Sequence, residues 1–455
     1  MVQAYVAIDR VPTLHLSDLA PSPEEVANVP CSIFIPSETE TRTIRSDYVT
    51  VVKEPLEEHL PFFNKEGFAE EINLHVHAEN SKRKSQLIPL GVLDKDESEI
   101  TEKIDIMESY HDYVPVGLSD EPVVIPLYGD GLSVERGYDA QNGRINAGSA
   151  WAQLQGLHPA IQEWHKRGIL LQDTFRLLYS QKSARSVGTL SYIRNAYRQV
   201  NVKAEVSHCF NEATELLRFA TKAYILATSL SLMGCRTVSE PPKDLPTESC
   251  RLSSYLNDIC EKVVDICFYP PNTTAVINAN TSTDDNYRYC VCKNDSGEGM
   301  VMCDNKKCKN GKWFHLSCMS IMNESDVLHR EWYCSRACET RNSAPQEVND
   351  DLTFKYTQAL LWRGIGEMVR HRAIRSNNGD KMTAYWKEDT IEFYECIHTK
   401  YFICGHRLLM DTHGALSPRM AHELKWNRTV NVQGGSNNNI EMDLMMEFYN
   451  KEFKG

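Results

Sequence analysis

The sequence predicts an α/β or α+β body, largely helical, that carries one small module held together by metal. Three observations predict it. Apolar residues recur at helical spacing over residues 151–233 and again after residue 351. Short apolar runs at 86–93 and 123–128 have the length of strands. Seven of the fifteen cysteines fall between Cys290 and Cys338, with a histidine among them. The chain has 455 residues, enough for two or three domains.

The elements follow in chain order. Residues 1–100 read as short strands between acidic turns, and QLIPLGVL at 86–93 as a buried strand. His75 and His77 alternate as they would on a strand, a surface pair with no third ligand near in sequence. Ile100, Ile104 and Met107 set a helix over 97–109. VVIPLY at 123–128 reads as a second buried strand, closed by the turn Gly129-Asp130-Gly131. Trp164-His165 reads as helix packing, and Asn211 as the cap of a helix with Glu212 and Glu215 in its first turn. Pro241-Pro242 and Pro270-Pro271 frame a short helix. Residues 272–286 and 340–350 read as linkers, and helices resume over 351–375 and 390–410. The expected division is 1–240 for the first part of the body, 241–286 for the short helix and linker, 287–340 for the metal module, and 351–455 for a mainly helical second part.

Composition narrows the function classes. A hydrophobic fraction of 42% and a charged fraction of 24% describe an ordinary globular chain. No run approaches the roughly 20 apolar residues of a membrane span, so no membrane partner is expected. The net charge is −13, from 49 basic and 62 acidic residues. That balance argues against broad binding to naked nucleic acid and suits a partner with a basic tail. DNA binding by the body stays open. The opening MVQAYVAIDR lacks the basic region and apolar run of a signal peptide, so reduced cysteines are expected.

Reduced cysteines are metal ligands in the right pattern. Cys290, Cys292, Cys303, Cys308, His315, Cys318, Cys334 and Cys338 are separated by one, ten, four, six, two, fifteen and three residues. These are four close pairs, and two tetrahedral zinc ions need eight soft ligands. The segment is too small to hold a core alone, so binding zinc there is also folding. A disulfide framework is the alternative, disfavoured by the expected redox compartment.

The arrangement resembles a PHD finger, in which the first and third ligand pairs share one zinc and the second and fourth share the other. The resemblance implies Cys290, Cys292, His315 and Cys318 at the first ion, and Cys303, Cys308, Cys334 and Cys338 at the second. Cys290-Val291-Cys292, Glu298-Gly299-Met300, Cys303-Asp304-Asn305, Trp313-Phe314-His315 and Glu331-Trp332-Tyr333-Cys334 are most similar to the finger of the inhibitor-of-growth proteins. The chain departs from that group in longer gaps before His315 and before Cys334, and in three residues within the last pair. The resemblance implies a cage of Tyr289, Met300 and Trp313 around a trimethylated lysine of the histone-three tail, with Asp304 on an arginine of that tail. Aromatic faces suit a quaternary ammonium, which has no hydrogen to donate, and Met adds a polarizable wall. The tail would add as a strand along residues 299–302. A RING domain, and with it a ubiquitin ligase, is the nearest alternative. The placing of Trp313 two residues before His315 favours the PHD form.

A second resemblance covers both sides of the module. Tyr128-Gly129-Asp130, Trp164-His165, Gly188-Thr189-Leu190, Leu424-Lys425-Trp426-Asn427-Arg428 and the segment 438–450 are similar to an uncharacterised, transposon-like domain family of invertebrates and fungi. That likeness raises a transposase or nuclease of the ribonuclease-H-like type as an alternative. Its carboxylates would be Asp130, with Asp443 or Glu447 on a terminal helix. Related chains carry a further carboxylate upstream of the segment aligned here. The two-metal site is therefore expected to be incomplete, and an enzyme is not expected. The reading as a whole is a nuclear, chromatin-associated protein with two zinc ions and the histone-three N-terminal tail as its partner.

Overall fold

Four short two-stranded sheets and a majority of helix make up the chain's computed structural model, which describes residues 2–63, 75–117, 120–268 and 351–454 and, in the cysteine-rich segment, 290, 292, 299–304, 308, 313–321, 327, 332–336 and 338–339. The chain divides into two units, a body of 1–268 with 356–455 and a module of 269–355. The architecture is the largely helical α+β form.

The body opens with β1 (Val2–Ala7), a short helix α1 (Pro23–Ala27) and the long α2 (Glu38–His59). Helix α2 starts where Ser37 and Glu40 exchange hydrogen bonds in a capping box. It buries Ile44, Tyr48, Val51, Val52 and Leu56 along one stripe. The one-turn helix α3 (Ala78–Ser81) follows, then β2 (Leu87–Leu93) and α4 (Ile100–His111). Next comes the only parallel pair among the described residues, β3 (Ile125–Gly129) and β4 (Leu157–Ile161), joined through α5 (Gly131–Gly143). Helices α6 (Trp164–Leu178), α7 (Leu190–Ala196), α8 (Phe210–Met233) and α9 (Ser249–Phe268) complete the first part. Gly234, at φ +69°, ends α8 in the left-handed conformation a helix stop requires.

The module contributes β5 (Met300–Met302) and β6 (Trp313–His315). After it come α10 (Leu352–Ser376), α11 (Gly379–Glu395), α12 (Thr399–Met410) and α13 (Pro418–Trp426). The strands β7 (Thr429–Val430) and β8 (Ile440–Glu441) lead into α14 (Met442–Lys454). Leu361, Ile365 and Tyr385 of this second part pack with Val51, Leu56, Ile225, Leu256 and Val263 of the first in one core cluster. The two halves of the body are therefore one folded unit. Among the described residues no helix is long and apolar enough to cross a membrane.

Several elements differ from the sequence reading. Residues 38–59 are helical, where strands and turns were expected; acidic residues on the solvent face masked the apolar stripe. Strand β2 is half-exposed rather than buried, because among the described residues it pairs with β1 alone. His77 precedes α3 and lies on no strand. Cys209, not Asn211, occupies the cap of α8. Helix α9 has 20 residues rather than a few. The helix expected over 390–410 is two helices, broken at Cys396 to His398.

A buried ionic network ties the halves together. Lys166 Nζ lies 2.8 Å from Glu163 and 2.9 Å from Asp389. Arg428 lies 2.8 Å from Glu163, Trp386 Nε1 donates to Glu163 at 2.7 Å, and Arg370 lies 2.6 Å from Asp389. Burial alone would raise the Glu163 carboxyl, but Lys166 and Arg428 outweigh it and hold the group at about 2. A depressed carboxylate contributes stability above its unfolded value and loses it as pH falls towards the folded one. Stability should therefore decline between about pH 4.5 and pH 2, and Glu163→Gln should flatten that decline. Glu163→Ala, which strands two buried cations, should cost about 3–5 kcal/mol in chemical denaturation.

Candidate metal centre

The module is built on one hairpin. Strands β5 and β6 pair antiparallel, with Met300 opposite His315, Val301 opposite Phe314 and Met302 opposite Trp313. Side chains alternate across a strand. Val301 and Phe314 thus share one face, and Met300, Met302, Trp313 and His315 the other. Phe314 is fully buried in a small core with Cys290, Cys303 and Cys338, and its ring lies 5.7 Å from that of Trp332. This core has few apolar side chains, and sulfur makes up much of it.

The eight predicted ligands fall into two groups, interleaved in sequence. Ligand atoms of Cys290, Cys292, His315 and Cys318 lie within 4.8 Å of one another, as do those of Cys303, Cys308, Cys334 and Cys338. Within the first group His315 Nδ1 is 3.3 Å from Cys292 Sγ and 3.9 Å from Cys318 Sγ. Within the second, Cys308 to Cys334, Cys334 to Cys338 and Cys338 to Cys308 are 3.4, 3.6 and 3.7 Å. Four sulfurs about 2.3 Å from one tetrahedral ion stand about 3.8 Å apart. The spacings are close to that value and far beyond a disulfide bond, and no disulfide joins any of the fifteen cysteines.

Backbone hydrogen bonds prepare both groups for anionic sulfur. The His315 N–H donates to Cys290 Sγ, and the Cys334 N–H to Cys303 Sγ, each at 3.4 Å. Burial opposes ionisation of Cys290, but N–H donors of Cys292 and His315 prevail and bring its thiol down to about 6. The hydrogen bond to Cys290 then pushes the Cys318 thiol up to about 11. Neighbouring thiols compete for protons in this way when no cation is shared. A dication that accepts all of the thiolates at once removes the competition, which is the chemical fit to a metal.

The other predicted positions divide. Met300 is half-buried, and Trp313 is 41% exposed on the same face. Tyr289 lies outside the described residues. Asp304 Oδ2 accepts the Trp332 N–H at 2.7 Å, and its own N–H donates to Trp332 O at 2.9 Å, so it clasps two loops of the module. Sequence reasoning missed that role, and it missed Met302, which stands opposite Trp313 and is 37% exposed. The period-two spacing of Met300 and Met302 was the available signal.

The candidate carboxylates of the body have structural work. Asp130 caps α5 by accepting the Ser133 N–H at 2.8 Å. Asp443 is buried and accepts the N–H groups of Trp164 and His165 at 3.1 and 3.0 Å, with His165 Nδ1 also at 3.0 Å. Glu447 lies one turn further along α14. These three do not gather within 4.8 Å of one another. A third cluster, Asp173, Glu392 and Cys396, does gather. Its carboxylates are already matched, Glu392 by Arg363 and Asp173 by His398 at 2.6 Å.

A family model described as a family of unknown function (DUF6589) matches residues 29–455, and the chain belongs to that family. A short part of the chain is similar to proteins of another kind. It is 31% identical over 126 residues to the chromatin modification-related protein YNG2 of Debaryomyces hansenii, covering 27% of this chain and 38% of that protein. It is 39% identical over 51 residues to the protein YNG1 of Saccharomyces cerevisiae, covering 11% and 22%. It is 33% identical over 63 residues to the chromatin modification-related protein png1 of Schizosaccharomyces pombe, covering 14% and 20%. The chain thus spans well under half the length of these relatives. No solved structure matches it significantly.

A chelator strong enough to strip structural zinc should unfold the module and leave the helical body standing, since the two are separate units. Near-ultraviolet circular dichroism should lose the part owed to Trp313 and Trp332 while the far-ultraviolet helical signal stays within about a tenth of its value. Cys303→Ser should lower bound metal by one ion per chain.

Proposed function

We propose that this member of the DUF6589 family is a nuclear, chromatin-associated protein whose cysteine module is a two-zinc PHD finger that reads the N-terminal tail of histone three. Seven thiols and one imidazole in two interleaved groups support the finger. The short likeness to chromatin modification-related proteins supports the setting. The observation that carries the reading is the partly exposed face of the hairpin, the one that also carries the buried His315. Met300 and Trp313 lie on it together, beside the outer edge of β5, which has no partner strand among the described residues.

Each part of that face has a use. An open strand edge offers its N–H and C=O groups to an extended peptide. Trp313 offers an aromatic face to a cation, and Met300 a soft apolar wall. A trimethylated lysine, at the fourth residue of the tail, is the side chain that such a pocket holds best, because it is cationic and has no hydrogen to leave unsatisfied. The net charge of −13 suits a basic peptide.

Trp313→Ala should weaken binding to a trimethylated tail peptide by about 30-fold or more, the equivalent of about 2 kcal/mol of cation–π attraction. Bound zinc should stay at two ions per chain, since Trp313 is no ligand. Isothermal titration with a parallel metal count checks both, and equal affinity in mutant and wild type would remove the cage.

A further inference from the structure

The body holds a set of nitrogen donors of its own. His15, His77 and His422 come from three distant stretches of sequence and gather around His422. His15 sits on the turn closed by the hydrogen bond from Leu16 N to Thr13 O, His77 precedes α3, and His422 lies on α13. The rings of His77 and His422 are 5.1 Å apart and nearly perpendicular. Those of His15 and His422 are 6.5 Å apart. His77 also packs edge-on against Trp426 at 4.6 Å, which fixes its ring.

His422 carries the unexplained feature. Its Nε2 is buried and has no hydrogen-bond partner among the described residues. A buried polar atom left unsatisfied costs about 1–3 kcal/mol, so it calls for a ligand. The nearby carboxylate does not supply one, because Asp380 is held by Lys425 Nζ at 2.5 Å. The groups that act on His422 are His77, His15 and Lys425, none of them an anion. Burial lowers the pKa of both His77 and His422, so both rings are neutral near pH 7 and keep a lone pair.

We propose that His15, His77 and His422 form a nitrogen-only site for a first-row transition-metal dication such as Zn2+. Neutral imidazole suits zinc, copper and nickel. Two imidazoles on one tetrahedral zinc, with Zn–N of about 2.0–2.1 Å, place their ring centres about 5 Å apart. His77 and His422 already stand at that separation. The nitrogens of all three do not yet lie within 4.8 Å of one another. His15, exposed on its turn, is the ring that swings in to close the set. Three histidines leave the fourth position of a tetrahedral ion to water or a small ligand, unlike the closed sets of the cysteine module. His75 is a neighbour and no ligand, since it stacks on Trp426 at 5.2 Å and its Nε2 lies 3.0 Å from Ser376 O.

The test counts zinc in the full-length chain after loading and dialysis against a weak chelator. Wild type is compared with His15→Ala, His77→Ala, His422→Ala and, as a control, His75→Ala. The expected result is one zinc fewer per chain in each of the first three, with His75→Ala unchanged. Differences between variants decide the matter, so the result does not depend on how many ions the cysteine module holds; Cys303→Ser reports on that separately. Equal counts in wild type and His15→Ala would overturn the site, because that variant lies on an exposed turn and leaves the core alone. An equal loss in His75→Ala would also overturn it, by marking a disturbed fold rather than a lost ligand.

Discussion

Sulfur packed against sulfur is the constraint on which the module depends. Cys290, Cys303 and Cys338 are buried beside Phe314, and thiols stand 3.4–3.7 Å apart with no bond between them. Deprotonated, such groups repel one another; protonated, they are weak donors that fill a core poorly. A shared dication would turn the repulsion into attraction and would brace the hairpin, the clasp at Asp304 and Trp313 together. The interleaving matters as much as the ligands. Each ligand group joins a pair from 290–308 to a pair from 315–338, so neither half of the segment can complete a group without the other.

The body solves a different problem. Its two sequence halves, split by the module, share one apolar core and one buried ionic network. Glu163 and Asp389 each hold more than one cation in the interior, and no single element supplies both charges of every pair. Such a network adds little net stability over an apolar core, but removing one member is costly. It therefore fixes which helices meet. In sequence the module lies between the end of α9 and the start of α10.

The two cysteine-rich groups were legible because potential metal ligands show themselves in spacing and residue type. The pairs at 290/292, 303/308, 315/318 and 334/338 can be read without any tertiary knowledge. An uncharacterised family on both sides of the module was legible as well, from short blocks such as LKWNR. Helix α2 was not, since charged residues between its apolar positions hid the stripe, and nothing marks Ser37 as a cap until Glu40 is seen to answer it. His15, His77 and His422 lie far apart in sequence, and only the fold brings them together. Asp443 shows what spacing leaves out: a carboxylate with a catalytic look accepts the first N–H groups of α6, a contact only the fold makes visible.

Everything proposed for the module turns on how its eight ligands divide: three cysteines with His315 around one ion, and four cysteines around the other. Cadmium-113 magnetic resonance of the cadmium-loaded chain tests this most directly, because the shift of each ion reports its sulfur count. The expected result is two module resonances of equal intensity, one at the shift of four sulfurs and one at that of three sulfurs and a nitrogen, with His315→Cys moving only the second. A single resonance, or two of the same sulfur count, would contradict it.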